Sequence, residues 1–97
     1  MEIRLTEEAQ EDLKESLKYY HDISSGLKDK FLKYIDETFE NIKKFPELYP
    51  FETKYSQKIL VKKFPFVVFY TIYEHQIVIL AIFHTSRNPK ILEERLS

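Results

Sequence analysis

The sequence predicts an α+β domain of order β-α-α-β-β-β, in which an antiparallel helix hairpin packs on an antiparallel sheet. Three observations predict it. Two apolar stripes at helical spacing fill the first half of the chain. Two runs rich in β-branched and aromatic residues, 66–73 and 76–83, meet across Glu74 and His75 in the second half. Between the helical stripes lie only Ser24, Ser25 and Gly26, the one glycine of the chain, and helices joined so briefly pair antiparallel. At 97 residues the chain is expected to be a single domain, residues 1–97, able to hide roughly 60–70% of its unfolded surface in one modest core.

Each element has its own signal. Residues 2–5 read as a short strand with Ile3 and Leu5 on one face, and Thr6 is a natural helix cap followed by Glu7 and Glu8, carboxylates suited to a first turn. Ala9, Leu13, Leu17 and Tyr20 form the apolar stripe of this first helix and leave Glu11, Asp12, Lys14, Glu15 and Lys18 on its wet side. Leu27, Phe31, Tyr34, Ile35, Thr38, Ile42 and Phe45 form the longer second stripe, ended by Pro46. Residues 46–56 read as a connection. Residues 57–64 read as a strand in which Lys58 and Lys62 share a face about 13 Å apart. The two strands of the hairpin are apolar on both alternating sets, as expected for a sheet covered on both sides. Pro89 fits the start of a short last helix over 90–96, whose Ile91, Leu92 and Leu96 either dock or stay mobile.

Composition narrows the function classes. The chain has no cysteine, which removes disulfides, thiolate catalysis and thiolate metal sites. The three histidines are far apart in sequence and lack the paired spacing of zinc motifs, so neither a metal site nor a cofactor is expected. Residues 1–6 do not resemble a secretion signal, and the apolar runs are strand-sized rather than the ~20 residues of a membrane span, so a cytoplasmic protein without membrane association is expected. The net charge of −1 conceals a polarity: residues 1–51 carry twelve acidic and eight basic side chains, and 52–97 carry four acidic and seven basic. Lys54, Lys58, Lys62 and Lys63 fall between Glu52 and Glu74 with no acid among them, either as guards of an edge strand or as a positive surface.

The apolar run of the last strand stops abruptly at His84, Thr85, Ser86, Arg87 and Asn88. A rigid strand end holds an imidazole and a guanidinium in fixed relation, which makes this rim the candidate site. Two structural alternatives stand beside that reading: His84 capping backbone groups, and Arg87 neutralising Glu93 or Glu94. Eight phenylalanines and seven tyrosines exceed what so small a core encloses, so an exposed apolar strip for a partner is expected, with Tyr19, Tyr49, Phe51 and Tyr55 as its candidates.

A short first strand entering LTEEAQEDL, then YYHDISSGLKDKFLKYIDETFENIKKFPELYP, FPFVVFYTIY and a hairpin closing on HTSRNP resembles the RelE/ParE superfamily of toxins from bacterial type II toxin–antitoxin systems. The pattern covers nearly the whole chain and is similar to the ParE-like branch, often called plasmid-stabilisation proteins. The resemblance implies a growth-inhibiting toxin held inactive by a cognate antitoxin, alone as a homodimer or as a toxin–antitoxin hetero-oligomer. ParE-type members poison DNA gyrase without a hydrolytic site, whereas RelE-type members cut messenger RNA on the ribosome.

The nuclease alternative assigns His84 as acid or base, Arg87 as charge stabiliser and Lys58, Lys62, Lys63 and Arg87 as phosphate or target contacts. Against it, Val67 stands before Val68, Phe69 and Tyr70 where RelE-like nucleases tend to carry an arginine. The calculated pI near 6.3 is also low for a protein that binds through many phosphates. Gyrase inhibition is therefore the expected activity, with the ribosome and its message as the alternative target and an inactive antitoxin-binding member as a third possibility.

Overall fold

The computed structural model describes all 97 residues, Met1–Ser97, as β1 (Glu2–Leu5), α1 (Glu7–Ile23), α2 (Ser25–Lys44), β2 (Gln57–Leu60), β3 (Phe66–Tyr73), β4 (Gln76–His84) and α3 (Pro89–Leu96). The Thr6 hydroxyl accepts the Ala9 N–H at 3.0 Å and so starts α1 as its sequence signal indicates. Ser24 is shared between the helices. Its extended backbone ends α1 through a bond from its N–H to the Tyr20 carbonyl, while its side chain accepts the Leu27 N–H at 3.0 Å and starts α2. One residue thus reverses the chain and produces the antiparallel helix pair.

The sheet order is β1-β4-β3-β2. Strands β2, β3 and β4 form the expected antiparallel meander, and β1 joins its far side parallel to β4, with Ile3 opposite Ile77 and Leu5 opposite Ile79. The hairpin turns on Glu74 and His75, both left-handed at φ 47° and 62°, the backbone of a two-residue turn whose twist matches that of the strands. The register slips between Phe69 and Tyr70, so that Leu80 of β4 has no partner on β3.

Helices α1 and α2 cover one face of the sheet. Phe31, Ile35 and Ile42 from α2 meet Val68, Tyr70, Ile77, Ile79 and Ile82 in a core from which water is excluded. Phe45, the last residue of the predicted α2 stripe, escapes this core and is exposed, because its backbone has already left the helix. Helix α3 docks on the opposite face, where Leu92 and Leu96 pack on Phe69, Ala81 and Phe83. This second layer explains why β3 and β4 are apolar on both sides.

The connection after α2 is tied down by one carbonyl. Pro46 O accepts both the Tyr70 hydroxyl at 2.7 Å and Gln57 Nε2 at 3.1 Å, and Gln57 Nε2 also donates to Tyr49 O at 2.9 Å. Burial, reinforced by nearby Tyr49, pushes the Tyr70 phenol from the usual 10.0 up to about 12. An unfolded chain therefore loses this proton at a lower pH than the folded one. The stability Tyr70 contributes is present below pH 10.0 and is lost as the pH climbs toward about 12. Urea denaturation between pH 9 and 12 should show a decline that is shallower in Tyr70→Phe; equal slopes would contradict the assignment.

One strand expectation is corrected. Strand β2 ends at Leu60 rather than continuing to residue 64, because Val61 N–H bonds Phe66 O at 2.9 Å and Lys63 is left-handed at φ 65°, closing a tight turn before β3. Lys58 and Lys62 consequently do not share a strand face. Lys62 and Lys63 sit on the turn, at the end of the sheet where β4 finishes.

Candidate functional site

Strand β4 outlasts its neighbour β1, and the polar rim grows from that mismatch. The last β1 contact is the Thr6 N–H on Ile79 O, so the outer edge of β4 from Leu80 onward lacks a strand partner. Two side chains take over the ladder. Asp12 Oδ2 accepts the Ile82 N–H at 3.0 Å, and Arg95 Nη1 of α3 donates to Leu80 O at 3.3 Å. The two also pair with each other, Nη1 to Oδ2 at 2.8 Å and Nη2 to Oδ1 at 3.2 Å, while Glu8 approaches Arg95 Nε at 3.3 Å. The hydrogen bonds Arg95 donates to Asp12 raise its already high pKa further, against the opposing effect of burial. Asp12 is only 5% exposed, so its expected place on the wet side of α1 is corrected: its stripe is polar because it stands in for a strand.

Arg87 is arranged around the same group. Its Nη1 lies 3.9 Å from Asp12 Oδ1, and its guanidinium stacks 4.2 Å from the centroid of Phe83, which Arg95 also contacts at 4.9 Å. The expected alternative partners Glu93 and Glu94 form no ion pair with Arg87. Asp12 is already saturated by Arg95, and the Arg87 side chain remains 36% exposed. A positive charge thus stands at the rim, stacked on Phe83, with donors to spare.

His84 lies at the same rim on the helix side, its ring edge-on to Phe66 at 5.3 Å. Its Nδ1 accepts the Ser86 N–H at 3.0 Å and faces the Ser86 hydroxyl at 2.7 Å, so in the neutral ring Nε2 carries the proton. A general base would have to accept at Nδ1, where Ser86 sits, and an imidazolium would turn Nδ1 into a second donor facing the Ser86 N–H. The neutral ring so engaged offers a donor at Nε2 rather than a free acceptor. Two small cavities flank the rim: one of about 230 Å³ with Asp12, Tyr19 and His84 in its wall, and one of about 160 Å³ with Val67, Phe69, Phe83 and Leu92, both sharing His84 and Arg87.

The ParE toxin family of type II toxin–antitoxin systems, named for parDE, matches residues 3–89. The chain belongs to this family. Among solved structures, a chain of the chromosomal ParDE TA system from P. aeruginosa superposes with a TM-score of 0.65 at 21% identity, over 87% of this chain and 95% of that one. That likeness supports the α+β fold. No curated protein sequence matches the chain.

Within this ParE-family chain the predicted site residues divide into separate groups. Lys58 lies across β3 from the rim and is engaged by Glu52 at 3.0 Å. It opens with Tyr49, Leu60, Val67 and Phe69 onto the largest cavity, about 580 Å³. Lys62 and Lys63 are nearer the rim, because Pro65 O in their turn accepts the Thr85 N–H at 2.8 Å. Of the proposed partner aromatics, Tyr19, Phe51 and Tyr55 are well exposed, whereas Tyr49 packs against the core. Phe51 and Tyr55 share a cavity of about 390 Å³, and Tyr19 stands apart at the rim. No three His, Cys, Asp or Glu side chains gather to hold a metal, and no helix is long and apolar enough to cross a membrane.

Sequence reasoning missed Asp12 and Arg95. Arg95 lay in a terminal segment with no expected partner, and Asp12 was one polar residue among several on an amphipathic helix. A signal did exist: β1 is four residues and β4 nine, so part of a buried strand had to find side-chain partners.

Proposed function

We propose that this chain is a growth-inhibiting toxin that acts by binding DNA gyrase in the cytoplasm and is neutralised by a cognate antitoxin in a hetero-oligomer. The observation that carries the reading is the state of the rim: a partly exposed Arg87 stacked on Phe83, beside an imidazole whose Nδ1 is already engaged by Ser86. Such a rim recognises a partner through its donors. Of the cations assigned to RNA cleavage, Lys58 lies apart from the rim, paired to Glu52 on the far strand.

Antitoxin contact is assigned to the exposed aromatics Phe51 and Tyr55, to Tyr19, and to the Tyr49-lined cavity. An antitoxin segment that folds on the toxin buries these surfaces as it orders. A supercoiling assay with purified chain and gyrase tests the activity directly: inhibition relieved by the antitoxin is expected. Normal supercoiling, together with new 5′ ends on translated message, would replace the reading with ribosome-dependent cleavage. Harmless induction without antitoxin would point to an inactive member.

Arg87→Ala should abolish growth inhibition while changing stability by no more than about 1 kcal/mol. Its 3.9 Å ion pair is loose and solvent-screened, and its contact with Phe83 is partly solvated. Colony counts on induction and a thermal melt read the two effects separately. Retained toxicity in a folded variant would remove Arg87 from the site.

A further inference from the structure

Phe64 packs the β2–β3 turn onto α2, its ring 5.1 Å from Phe31 and 6.1 Å from Tyr34. That contact brings the turn lysines to the helix lysines. Lys33 Nζ lies 6.0 Å and Lys63 Nζ 5.9 Å from the centroid of the same Tyr34 ring. Lys30 is one helical turn before Tyr34 on its side of α2, and Lys62 adjoins Lys63. All four lysines are exposed, and none has a carboxylate within ion-pair distance, whereas Lys18, Lys28, Lys43 and Lys58 each have one. Three acids lie within one helical turn of Lys33, namely Asp29, Asp36 and Glu37, and none of them forms a pair with it.

Lys63 also stands in an unusual backbone conformation. It is one of three non-glycine residues with positive φ, at 65°, a backbone conformation that disfavours a lysine. There its ammonium is directed over Tyr34 rather than into solvent at large.

We propose that Lys30, Lys33, Lys62 and Lys63 form a docking patch for the phosphate backbone of duplex nucleic acid. The near-neutral net charge is no obstacle in itself, because the acids that open α1 lie at a distance from the four lysines. Glu7, Glu8 and Glu11 lie in the first turns of α1, whereas Tyr20, whose ring is 4.9 Å from Phe31, lies near its other end beside the patch. About ten residues of helix, or roughly 15 Å, separate the two. A polyanion is therefore disfavoured at the start of α1, while Asp29, Asp36 and Glu37 temper its attraction to the lysines. A duplex fits better than a single strand. The one aromatic ring in the patch, Tyr34, is half-buried and flanked by ammonium groups, leaving no open platform on which unstacked bases could lie.

The inference extends beyond gyrase binding and stands independently of it. Fluorescence anisotropy of a random 20-base-pair DNA duplex with the purified full chain, titrated at several salt concentrations, tests it. Four lysine–phosphate contacts predict micromolar binding at low salt and a slope of log K on log salt of about −3 to −4. Lys33→Gln combined with Lys63→Asn should lower that slope by about two and weaken binding at least about tenfold at low salt. Asparagine tolerates the left-handed turn position. Lys33→Gln alone, a helix-surface change that leaves the turn intact, should lower the slope by about one. Glu37→Gln should tighten binding, and Lys14→Gln on α1 should leave it unchanged. Absence of binding at low salt, a slope unaffected by Lys33→Gln, or tighter binding to the matching single strand would each overturn the proposal.

Discussion

Phe31→Ala should destabilise the fold by about 3–5 kcal/mol, measured as the shift in urea midpoint at constant slope. The ring is fully buried and is the hub of an aromatic cluster, 4.9 Å from Tyr20, 5.1 Å from Phe64 and 5.0 Å from Phe66. These three partners come from α1, the β2–β3 turn and β3. Truncation therefore removes transfer energy and also opens a cavity that no single neighbour can fill by a rotamer change, because each ring is held by its own element. Phe31→Leu keeps most of the volume and should lose much less. The turn that carries Lys63 rests on this cluster through Phe64, so Phe31→Ala should also loosen the basic patch. A loss below about 1 kcal/mol would mean that the core closes over the gap and that the cluster is not the joint between helices and sheet.

Where side-chain period alone decides the structure, the sequence is informative. The α2 stripe from Leu27 to Ile42, the Thr6 cap and the β3–β4 hairpin all follow from local patterns, since each residue's environment is set by its own element. The same holds for the docking of α3, visible in the second apolar set of β3 and β4. What local pattern does not carry is pairing between distant elements. The parallel placement of β1 against β4 depends on chain path, and the early end of β2 depends on a single left-handed lysine. The rim was half legible. His84 and Arg87 stand out because an apolar run stops at them, but Asp12 is 83 residues from the arginine that neutralises it. No helical or strand period relates two residues so separated.

Asp12→Ala is the second change with a large expected effect, about 3–5 kcal/mol. The carboxylate is buried and does three things at once: it accepts the Ile82 N–H, holds Arg95 through two bonds and stands 3.9 Å from Arg87. Its removal leaves a guanidinium that is 13% exposed with Glu8 as its remaining ion-pair partner, and leaves a strand N–H without an acceptor. Asp12→Asn separates the two contributions. The amide oxygen can still accept from Ile82, so the asparagine variant should recover the backbone term and lose the charge pairing together with the Arg95 Nη2 bond, which an amide NH2 cannot accept. Arg95→Ala should cost less than Asp12→Ala, because Arg87 is close enough to move onto the vacated carboxylate. That movement would draw Arg87 away from the rim, so Arg95→Ala should weaken growth inhibition more than its stability loss explains, and a double-mutant cycle between positions 87 and 95 should be non-additive. Strict additivity, with toxicity following stability alone, would show that the Asp12 pair braces the sheet edge and has no part in setting Arg87.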